Sequence, residues 1–296
     1  MHTSCTGPLG ITRERWAELP ASARSALLRS EIYRLLAGAF TYPELAMLAG
    51  VLPTISTIRR HADDIPTHGA TLARLDRLRQ CSGSTATQLG VEYDGIFGHT
   101  ISAECPPYET QYGAGIIFAQ TQRMGDIAAF YRAFGVRISP DAHERADHIA
   151  AELEFLSVMA FREALAIVEP DPAAFVTRTE TRTEDLTPRE PESHLAGVRD
   201  AERKFLVEHL ATWAISFAER LGRRARAVVP PDGGFYAALA ECLYVLVRDE
   251  IRFAHVAPES IGTIEPAKVE FEPEGCSFTC GAAGEPVLAN LPGFNV

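Results

Sequence analysis

The 296-residue sequence predicts an all-α protein, and three observations support that class. Apolar side chains recur at intervals of three and four residues over many stretches, which is the spacing of one helical face. No alternation of apolar and polar residues lasts long enough for a half-buried strand; the only short candidates are 228–229 and 268–272. Prolines and glycines separate the periodic stretches, as they do where helices begin and end. No internal repeat is present, so we expect helices of different lengths around one core.

In the N-terminal half, residues 1–20 are polar and broken by two prolines, which indicates a loose lead-in. Pro53 is expected to end the helix that opens after Pro43, because proline lacks the amide that a helix interior needs. Residues 53–68 are poorly periodic. The helices that the apolar spacing predicts in this half cover about 22–40, 44–52, 72–78 and 89–97.

In the C-terminal half, the longest clear helix is predicted from about Glu144 to Ile167. Residues 169–193 combine four prolines with repeated Thr, Glu and Arg, so we expect a mobile loop there. Residues 259–296 have no sustained periodicity and are expected to form an extended tail, which leaves 21–258 as a single large helical domain. The other predicted helices cover about 122–134, 206–221 and 235–250.

Composition narrows the class of partner. The formal net charge of −11 would repel a phosphate backbone, so we expect no nucleic acid, whereas a basic peptide suits the chain. The longest apolar runs are far short of a bilayer crossing, and the N-terminus lacks the basic and apolar regions of a secretory signal. The six cysteines are too dispersed for a disulfide framework. We therefore expect a cytoplasmic protein without membrane insertion.

One short segment merits a test as a metal site. His143 and His148 are five residues apart, which places them about 140° apart on a helix, whereas the zincin pattern needs a spacing of four. Glu144 and His148 do share a face. A small helical metal-dependent enzyme that uses these three residues is therefore the alternative function, against the simpler interpretation of a helix start with an acidic first turn. Cys276 and Cys280 are interpreted as free thiols in the tail, with redox or metal contact as the alternative.

A proline-broken loop, residues 104–110, is the first candidate binding element and is called the proline loop below. Pro107 pushes Pro106 out of the helical region, so the backbone must be extended there. Tyr108 and, just beyond the loop, Tyr112 fit two interpretations. Aromatic side chains held by a rigid loop suit peptide recognition, but they could equally plug the core.

The front of the long helix is the second candidate. It carries the adjacent pair Asp147 and His148, and Glu152 follows four residues after the histidine. These polar residues fit either a peptide-binding face or a solvated helix face opposite the apolar stripe that contains Leu153. Spacing alone favours the solvated face.

At these residues the sequence resembles the TorD/DmsD/NarJ family of molybdoenzyme chaperones, also called redox enzyme maturation proteins. The resemblance covers roughly 22–255, and it depends on the order and spacing of three pieces. Thr110 stands where the family usually has serine, and the 169–193 loop and the tail fall outside the common pattern. The pieces are E-Y-D-x-x-F at 92–97 with P-P-Y-E-T at 106–110, A-D-H-I at 146–149 with E-L-E-F-L at 152–156, and F-L-x-E-H-L-x-x-W at 205–213.

The resemblance implies a non-enzymatic chaperone without a resident cofactor. Members of that family bind the twin-arginine signal peptide of the catalytic subunit of a DMSO-reductase-type molybdoenzyme. They delay its export while the molybdenum cofactor is inserted, and molybdenum cofactor biosynthesis proteins are possible further partners.

The resemblance also assigns roles to residues. Asp147 and Glu109 are expected to meet the arginines of the peptide, while His148 and Tyr108 orient or line the groove. Glu202 is taken as an exposed acid outside the site. The peptide-binding residues expected from the resemblance and from the side-chain chemistry are Pro106, Pro107, Tyr108, Glu109, Tyr112, Asp147, His148 and Glu152.

Overall fold

A computed structural model of the chain describes residues 11–98, 104–113, 117–139, 144–169, 191–261 and 264. Within these ranges the chain forms helices and connecting turns without a β-strand, which confirms the all-α class. A π-helical turn, Leu206–Leu210, joins two of the helices. In chain order the α-helices are α1 (Arg13–Glu18), α2 (Ala21–Ala39), α3 (Leu45–Arg60), α4 (Gly69–Cys81), α5 (Ala86–Phe97), α6 (Ile117–Ala133), α7 (Ile149–Val168), α8 (Pro191–Phe205), α9 (Ala211–Val228) and α10 (Gly234–Phe253).

The core lies between the long helices. α2 packs along α7, α9 packs along α10, and α10 also contacts α4. The buried apolar side chains of these helices belong to one continuous cluster that extends from Trp16 to Val256. Across the described ranges, no helix combines the length and the apolar character that a bilayer crossing requires.

The helix α3 differs from the prediction, because Pro53 lies inside it and does not end it. The proline removes one helical hydrogen bond, whose acceptor would be the carbonyl of Ala49. Ala49 is exposed, so water can satisfy that carbonyl. Burial of Val51, Ile55 and Ile58 on one face holds both halves of the helix against the core. Packing therefore outweighs the local cost of the proline.

Residues beyond the predicted limits of 21–258 also pack on the core. Trp16 of α1 is buried, and its indole Nε1–H donates to the Asp64 carboxylate at 3.1 Å. At the other end, the amide of Ile264 donates to the carbonyl of Thr212 at 2.9 Å. A chain segment that the sequence indicates to be loose thus contributes a buried aromatic side chain.

The helix α8 begins at Pro191, inside the predicted 169–193 loop. Proline suits the first turn of a helix because the amides there have no intrahelical acceptor. Residues 170–190 lie outside the described residues, as do 265–296 with Cys276 and Cys280. The predictions of a mobile loop and an extended tail therefore stay predictions over those ranges.

Glu202 of α8 is buried, so the expectation of an exposed acid is wrong. Its carboxylate pairs with the guanidinium of Arg29 on α2. Arg29 also donates to Glu163 of α7 at 3.0 Å and to Glu250 of α10 at 2.6 Å. Burial raises the pKa of Glu202 to about 7, against the opposing effect of Arg29. Three carboxylates around one guanidinium tie four helices together, an arrangement between distant segments that helix spacing does not reveal.

Candidate functional site

The proline loop and the front of α7 are joined through their backbones. The amide of Glu109 donates to the carbonyl of Asp147 at 2.8 Å, and the amide of Ile149 donates to the carbonyl of Pro107 at 2.9 Å. Between these two hydrogen bonds, Tyr108 and His148 form an isolated antiparallel β-bridge. We call this paired unit, the proline loop together with the segment that enters α7, the clasp. The two candidate elements of the sequence therefore come together.

The carboxylate of Asp147 faces the interior of the clasp and is fully buried. It accepts from the Thr110 hydroxyl at 2.6 Å and from the Thr110 amide at 3.2 Å. Arg145 adds two further hydrogen bonds, at 2.9 Å from Nε and 2.7 Å from the terminal guanidinium nitrogen. The threonine that replaces the usual serine keeps the hydroxyl donor. Asp147 thus holds the clasp together with a buried carboxylate, and its role toward a peptide stays a prediction.

The His148 side chain also makes its contacts within the protein. Its Nδ1 accepts from the amide of Ala150 at 3.2 Å, so the side chain caps the N-terminus of α7. The ring packs edge-on against Tyr108 at 5.1 Å between centroids. Burial lowers the pKa of His148, although Glu144 and Asp147 raise it. A neutral imidazole suits the acceptor role at Nδ1.

The residues of the metal-site alternative are only partly described. Glu144 lies 3.8 Å from Nε2 of His148, and its carboxylate also accepts from the Tyr108 hydroxyl at 3.2 Å. His143 lies outside the described residues. Within the described ranges, no group of three or more His, Cys, Asp or Glu side chains is arranged to hold a metal ion.

The two prolines of the loop and Tyr112, just beyond it, also point inward. Pro106, Pro107 and Tyr112 are buried, and the Tyr112 hydroxyl donates to the carbonyl of Pro106 at 3.1 Å. The Tyr112 ring packs against Trp213 of α9 at 5.2 Å. Of the two interpretations for this tyrosine, the structure matches the one in which it plugs the core. Tyr108 is half-buried and keeps part of its surface available.

Two buried acids approach each other, Glu109 in the clasp and Glu152 on α7 beneath it. Glu109 is 2% exposed and Glu152 is fully buried. Trp213 donates its indole N–H to Oε2 of Glu152 at 3.2 Å, and Nδ1 of His209 lies 3.2 Å from Oε2 of Glu109. Burial raises the pKa of Glu152 well above its ordinary value, and the neighbouring Glu109 raises it further. Trp213 of α9 and His209 of the π-helical turn therefore enclose the two acids.

His209 reaches Glu109 from the π-helical turn between α8 and α9. In a π-helical turn each backbone hydrogen bond joins residues five apart, so the turn contains one residue more than an α-helical turn. The side chains after it therefore point in a different direction from those of a regular α-helix. The His209 ring stacks on Phe205 at 4.8 Å between centroids. π-helical turns of this kind occur frequently at functional sites.

An open groove of about 450 Å³ lies beside Glu109, between α6 on one side and α8 with the π-helical turn on the other. Asp126 and Glu208 are exposed on its walls, and no ion pair or hydrogen bond involves either carboxylate among the described residues. Phe130 contributes an aromatic surface, while Arg123 and Lys204 add positive charge. We call this the acidic groove, and its lining residues are Glu109, Gln122, Arg123, Asp126, Phe130, Lys204, Glu208 and His209.

Sequence reasoning placed Glu109 at this site but missed the groove walls. Gln122, Asp126 and Phe130 are spaced four apart, so they share one face of α6, and that signal was available. Glu208 and His209 also belong to a segment quoted for the family resemblance, without an assigned role. Only the packing of α6 against the π-helical turn reveals that these faces meet.

The comparisons with known proteins agree with the pattern of motifs. A family model described as nitrate reductase delta subunit matches residues 62–219. A chlorate reductase assembly chaperone protein of Ideonella dechloratans is 31% identical over 96 residues, which is 32% of this chain and 38% of that protein. A perchlorate reductase assembly chaperone protein of Dechloromonas aromatica is 24% identical over 192 residues, which is 64% of this chain and 75% of that protein. The alignments thus span well under half of the first relative and about three quarters of the second.

Proposed function

Because the chain belongs to the nitrate reductase delta subunit family, of NarJ/TorD type, we propose that it is an assembly chaperone for a molybdenum oxidoreductase. The two relatives named as assembly chaperones of chlorate and perchlorate reductases support this assignment. The proposed partner is the catalytic subunit of a DMSO-reductase-type molybdoenzyme. The chaperone binds the twin-arginine leader of that subunit in the cytoplasm, assists insertion of the molybdenum cofactor and delays export until maturation. Molybdenum cofactor biosynthesis proteins are the further partners in this proposal. The chain itself performs no catalysis.

The acidic groove next to the clasp is the observation that carries the leader-binding part of the proposal. A twin-arginine leader has a cationic segment followed by an apolar one. The groove offers exposed carboxylates, Asp126 and Glu208, that no other described side chain pairs with. Arginine forms strong bidentate hydrogen bonds with such groups. Phe130 offers an aromatic face for the adjoining apolar or guanidinium surface.

The clasp has a different part in the proposed site. Its buried residues, above all Asp147 and His148, fix the proline loop against α7 and thereby set the position of Glu109 at the groove. Tyr108 is half-buried and stays the clasp residue whose side chain is best placed to touch the peptide. The peptide-binding residues expected from the sequence therefore divide into a frame and a contact surface.

Co-purification with a candidate client tests the proposal. The chain is expressed with the tagged catalytic subunit of a molybdoenzyme encoded by a neighbouring gene, either in full length or without its leader. We expect the chain to co-purify with the full-length subunit and to be largely lost when the leader is removed. A leader in which both arginines are replaced by lysine is the matched control, since it keeps the charge but loses the bidentate geometry.

Two results would contradict the proposal. Equal recovery with the leaderless subunit would mean that the chain binds the mature enzyme and not its leader. No recovery with any full-length candidate client would remove the chaperone assignment itself, and metal analysis of the purified chain would then test the alternative of a metal-dependent enzyme.

A further inference from the structure

Large apolar and aromatic side chains are exposed close together at the start of α3 and on α5. Tyr42 is 54% exposed, Leu45 76% and Val91 70%. The Tyr42 hydroxyl lies over Gly90, where an added Cβ would be only 3.0 Å away, so Tyr42 and Val91 are neighbours on the surface. Leu52 is also exposed, and it shares the outer face of α3 with Leu45 because seven residues make almost two full turns. We call these four exposed side chains the apolar patch.

The apolar patch is unusual for the surface of this protein. The described residues include six exposed large hydrophobic side chains, and the patch contains four of them. Single exposed apolar residues are normal on a protein surface, whereas a group of them marks an interaction site. The patch therefore calls for a partner.

Aromatic packing holds the patch in place. The Tyr42 ring meets the Tyr93 ring edge-on at 5.4 Å between centroids. Tyr93 in turn packs against Phe97 at 4.7 Å and against the buried Tyr236 at 6.0 Å. Gly90 permits this arrangement, because a larger residue there would crowd the Tyr42 hydroxyl. A ring that is already fixed against the core loses little conformational freedom when a ligand binds.

Tyr93 links the apolar patch to the clasp. Burial raises the pKa of the Tyr93 hydroxyl, and the nearby Glu144 carboxylate and Tyr108 hydroxyl raise it further. Tyr108 donates its hydroxyl to Glu144 at 3.2 Å, so its side chain faces the side of the clasp on which Tyr93 lies. The backbone of Tyr108 is extended, and consecutive side chains of an extended segment point to opposite faces, so Glu109 faces the acidic groove on the other side. A peptide that crosses the clasp from the groove therefore reaches the patch.

The charges around the patch favour a partner that is apolar and cationic. In the two stretches that carry it, 41–58 and 86–97, the charged residues are all acidic. The carboxylates of Glu44 and Asp94 form no hydrogen bond or ion pair within the described part of the chain. At the clasp, the guanidinium of Arg145 is held by hydrogen bonds inside the clasp and stacks on a tyrosine ring at 4.8 Å.

A second copy of the chain fits this surface poorly. A two-fold contact places the same patch of both copies face to face, so the unpaired carboxylates of Glu44 and Asp94 would meet each other. The formal net charge of −11 opposes such a contact further. A peptide with a basic pair beside an apolar segment meets both the apolar side chains and the acidic border.

We propose that the apolar patch binds the apolar segment that follows the arginine pair in the leader. The inference rests on the proposed function, because it takes the ligand to be the leader of the client. The arginine pair occupies the acidic groove, the chain crosses the clasp beside Tyr108, and the apolar segment covers Tyr42, Leu45 and Val91. Burial of these side chains against apolar residues of the leader supplies the affinity of this part of the site.

Calorimetric titration with two synthetic peptides tests the proposal. The first peptide has two adjacent arginines followed by an apolar segment, and the second keeps the arginines but has serine and glycine in place of the apolar residues. We expect the wild type to bind the first peptide at least tenfold more tightly than the second. The double variant Leu45→Gln with Val91→Ser should bind the first peptide about tenfold more weakly than the wild type and should bind the second with unchanged affinity.

Two further variants make the test specific. Val168→Ser is the matched control, because it makes the same change at an exposed valine on α7 outside the patch, and it should bind both peptides like the wild type. Leu52→Gln changes the patch at a separate position and should weaken binding of the first peptide by about threefold. All of these side chains are exposed, so the melting temperatures should stay close to that of the wild type.

The outcomes separate the inference from the proposed function. Wild-type affinity of the folded double variant for the first peptide, or an equal loss for both peptides, would overturn the inference and leave the chaperone assignment intact. A dimeric wild type that becomes monomeric in the double variant, with peptide affinity kept, would assign the patch to a contact between copies and overturn the inference as well. Failure of the wild type to bind either peptide would remove leader binding, and the inference with it.

Discussion

Replacing Asp147 by asparagine should destabilise the fold, because this carboxylate accepts four hydrogen bonds inside the clasp. Asparagine has one acceptor oxygen, and its amide nitrogen would face either the Arg145 guanidinium or the Thr110 backbone amide, which are both donors. A hydrogen bond to a charged group contributes about 1.5–3 kcal/mol. Arg145 keeps about a third of its side-chain surface in solvent, so part of its loss is recovered by hydration. We therefore expect Asp147→Asn to lower the free energy of unfolding by about 2–4 kcal/mol.

Thermal and urea unfolding measure this effect. At about 2–4 °C per kcal/mol for a domain of this size, the melting temperature should fall by roughly 5–15 °C. The matched control is Asp126→Asn, which changes an exposed acid without a partner among the described residues and should stay within about 0.5 kcal/mol of the wild type. If Asp147→Asn unfolds like the wild type but binds the leader weakly, Asp147 contacts the peptide and the frame interpretation is wrong.

Three other substitutions test the packing. Arg29→Met leaves three buried carboxylates without their shared guanidinium and should cost about 3–5 kcal/mol in urea unfolding at neutral pH. The pKa of Glu202 is about 7 in the folded protein and about 4.5 in the unfolded chain, so the folded state binds more protons between these pH values. The contribution of Glu202 to stability is therefore lost as pH rises from about 4.5 to 7. Glu202→Gln should remove that part of the pH dependence of stability. Trp16→Ala should cost about 3–5 kcal/mol because the indole is buried against the core, whereas Glu14→Gln on the same helix should change little.

Each of these expectations has a clear contrary result. An unchanged urea midpoint for Arg29→Met would mean that the carboxylates do not depend on that arginine. A pH–stability profile that is the same in Glu202→Gln as in the wild type would remove Glu202 as a titrating group. Wild-type stability of Trp16→Ala would mean that α1 is not part of the cooperative fold.

The all-α class could be predicted because it depends on a local signal. The spacing of apolar residues that predicts a helix is the spacing that buries one face of it, as the long helix α7 illustrates. Pro53 shows where local signals are insufficient, since the burial of side chains on both sides of it outweighs one lost hydrogen bond. Glu202 shows the same for exposure, because its partner Arg29 is 173 residues away in the chain.

The candidate site could be predicted only in part. The proline loop and the Asp147–His148 pair were identified from motifs, and they do meet in the structure. The spacing of these residues does not reveal their roles. Asp147 is buried because Arg145 and Thr110 donate hydrogen bonds to its carboxylate, and those contacts depend on the tertiary structure. His209 depends on a π-helical turn, a shift of one residue that apolar periodicity does not resolve.

The most direct test of the account is whether the acidic groove determines leader binding. A synthetic peptide with two adjacent arginines followed by an apolar segment is titrated into the wild type and into two variants. The first is the double variant Asp126→Asn with Glu208→Gln, and the second is Glu219→Gln, which changes an exposed acid on α9 outside the groove lining. The account predicts a loss of about tenfold or more in the double variant, equivalent to about 1.4 kcal/mol, with wild-type affinity in Glu219→Gln and unchanged melting temperatures in both. Wild-type affinity in the folded double variant would contradict the claim that the leader's arginine binds in this groove.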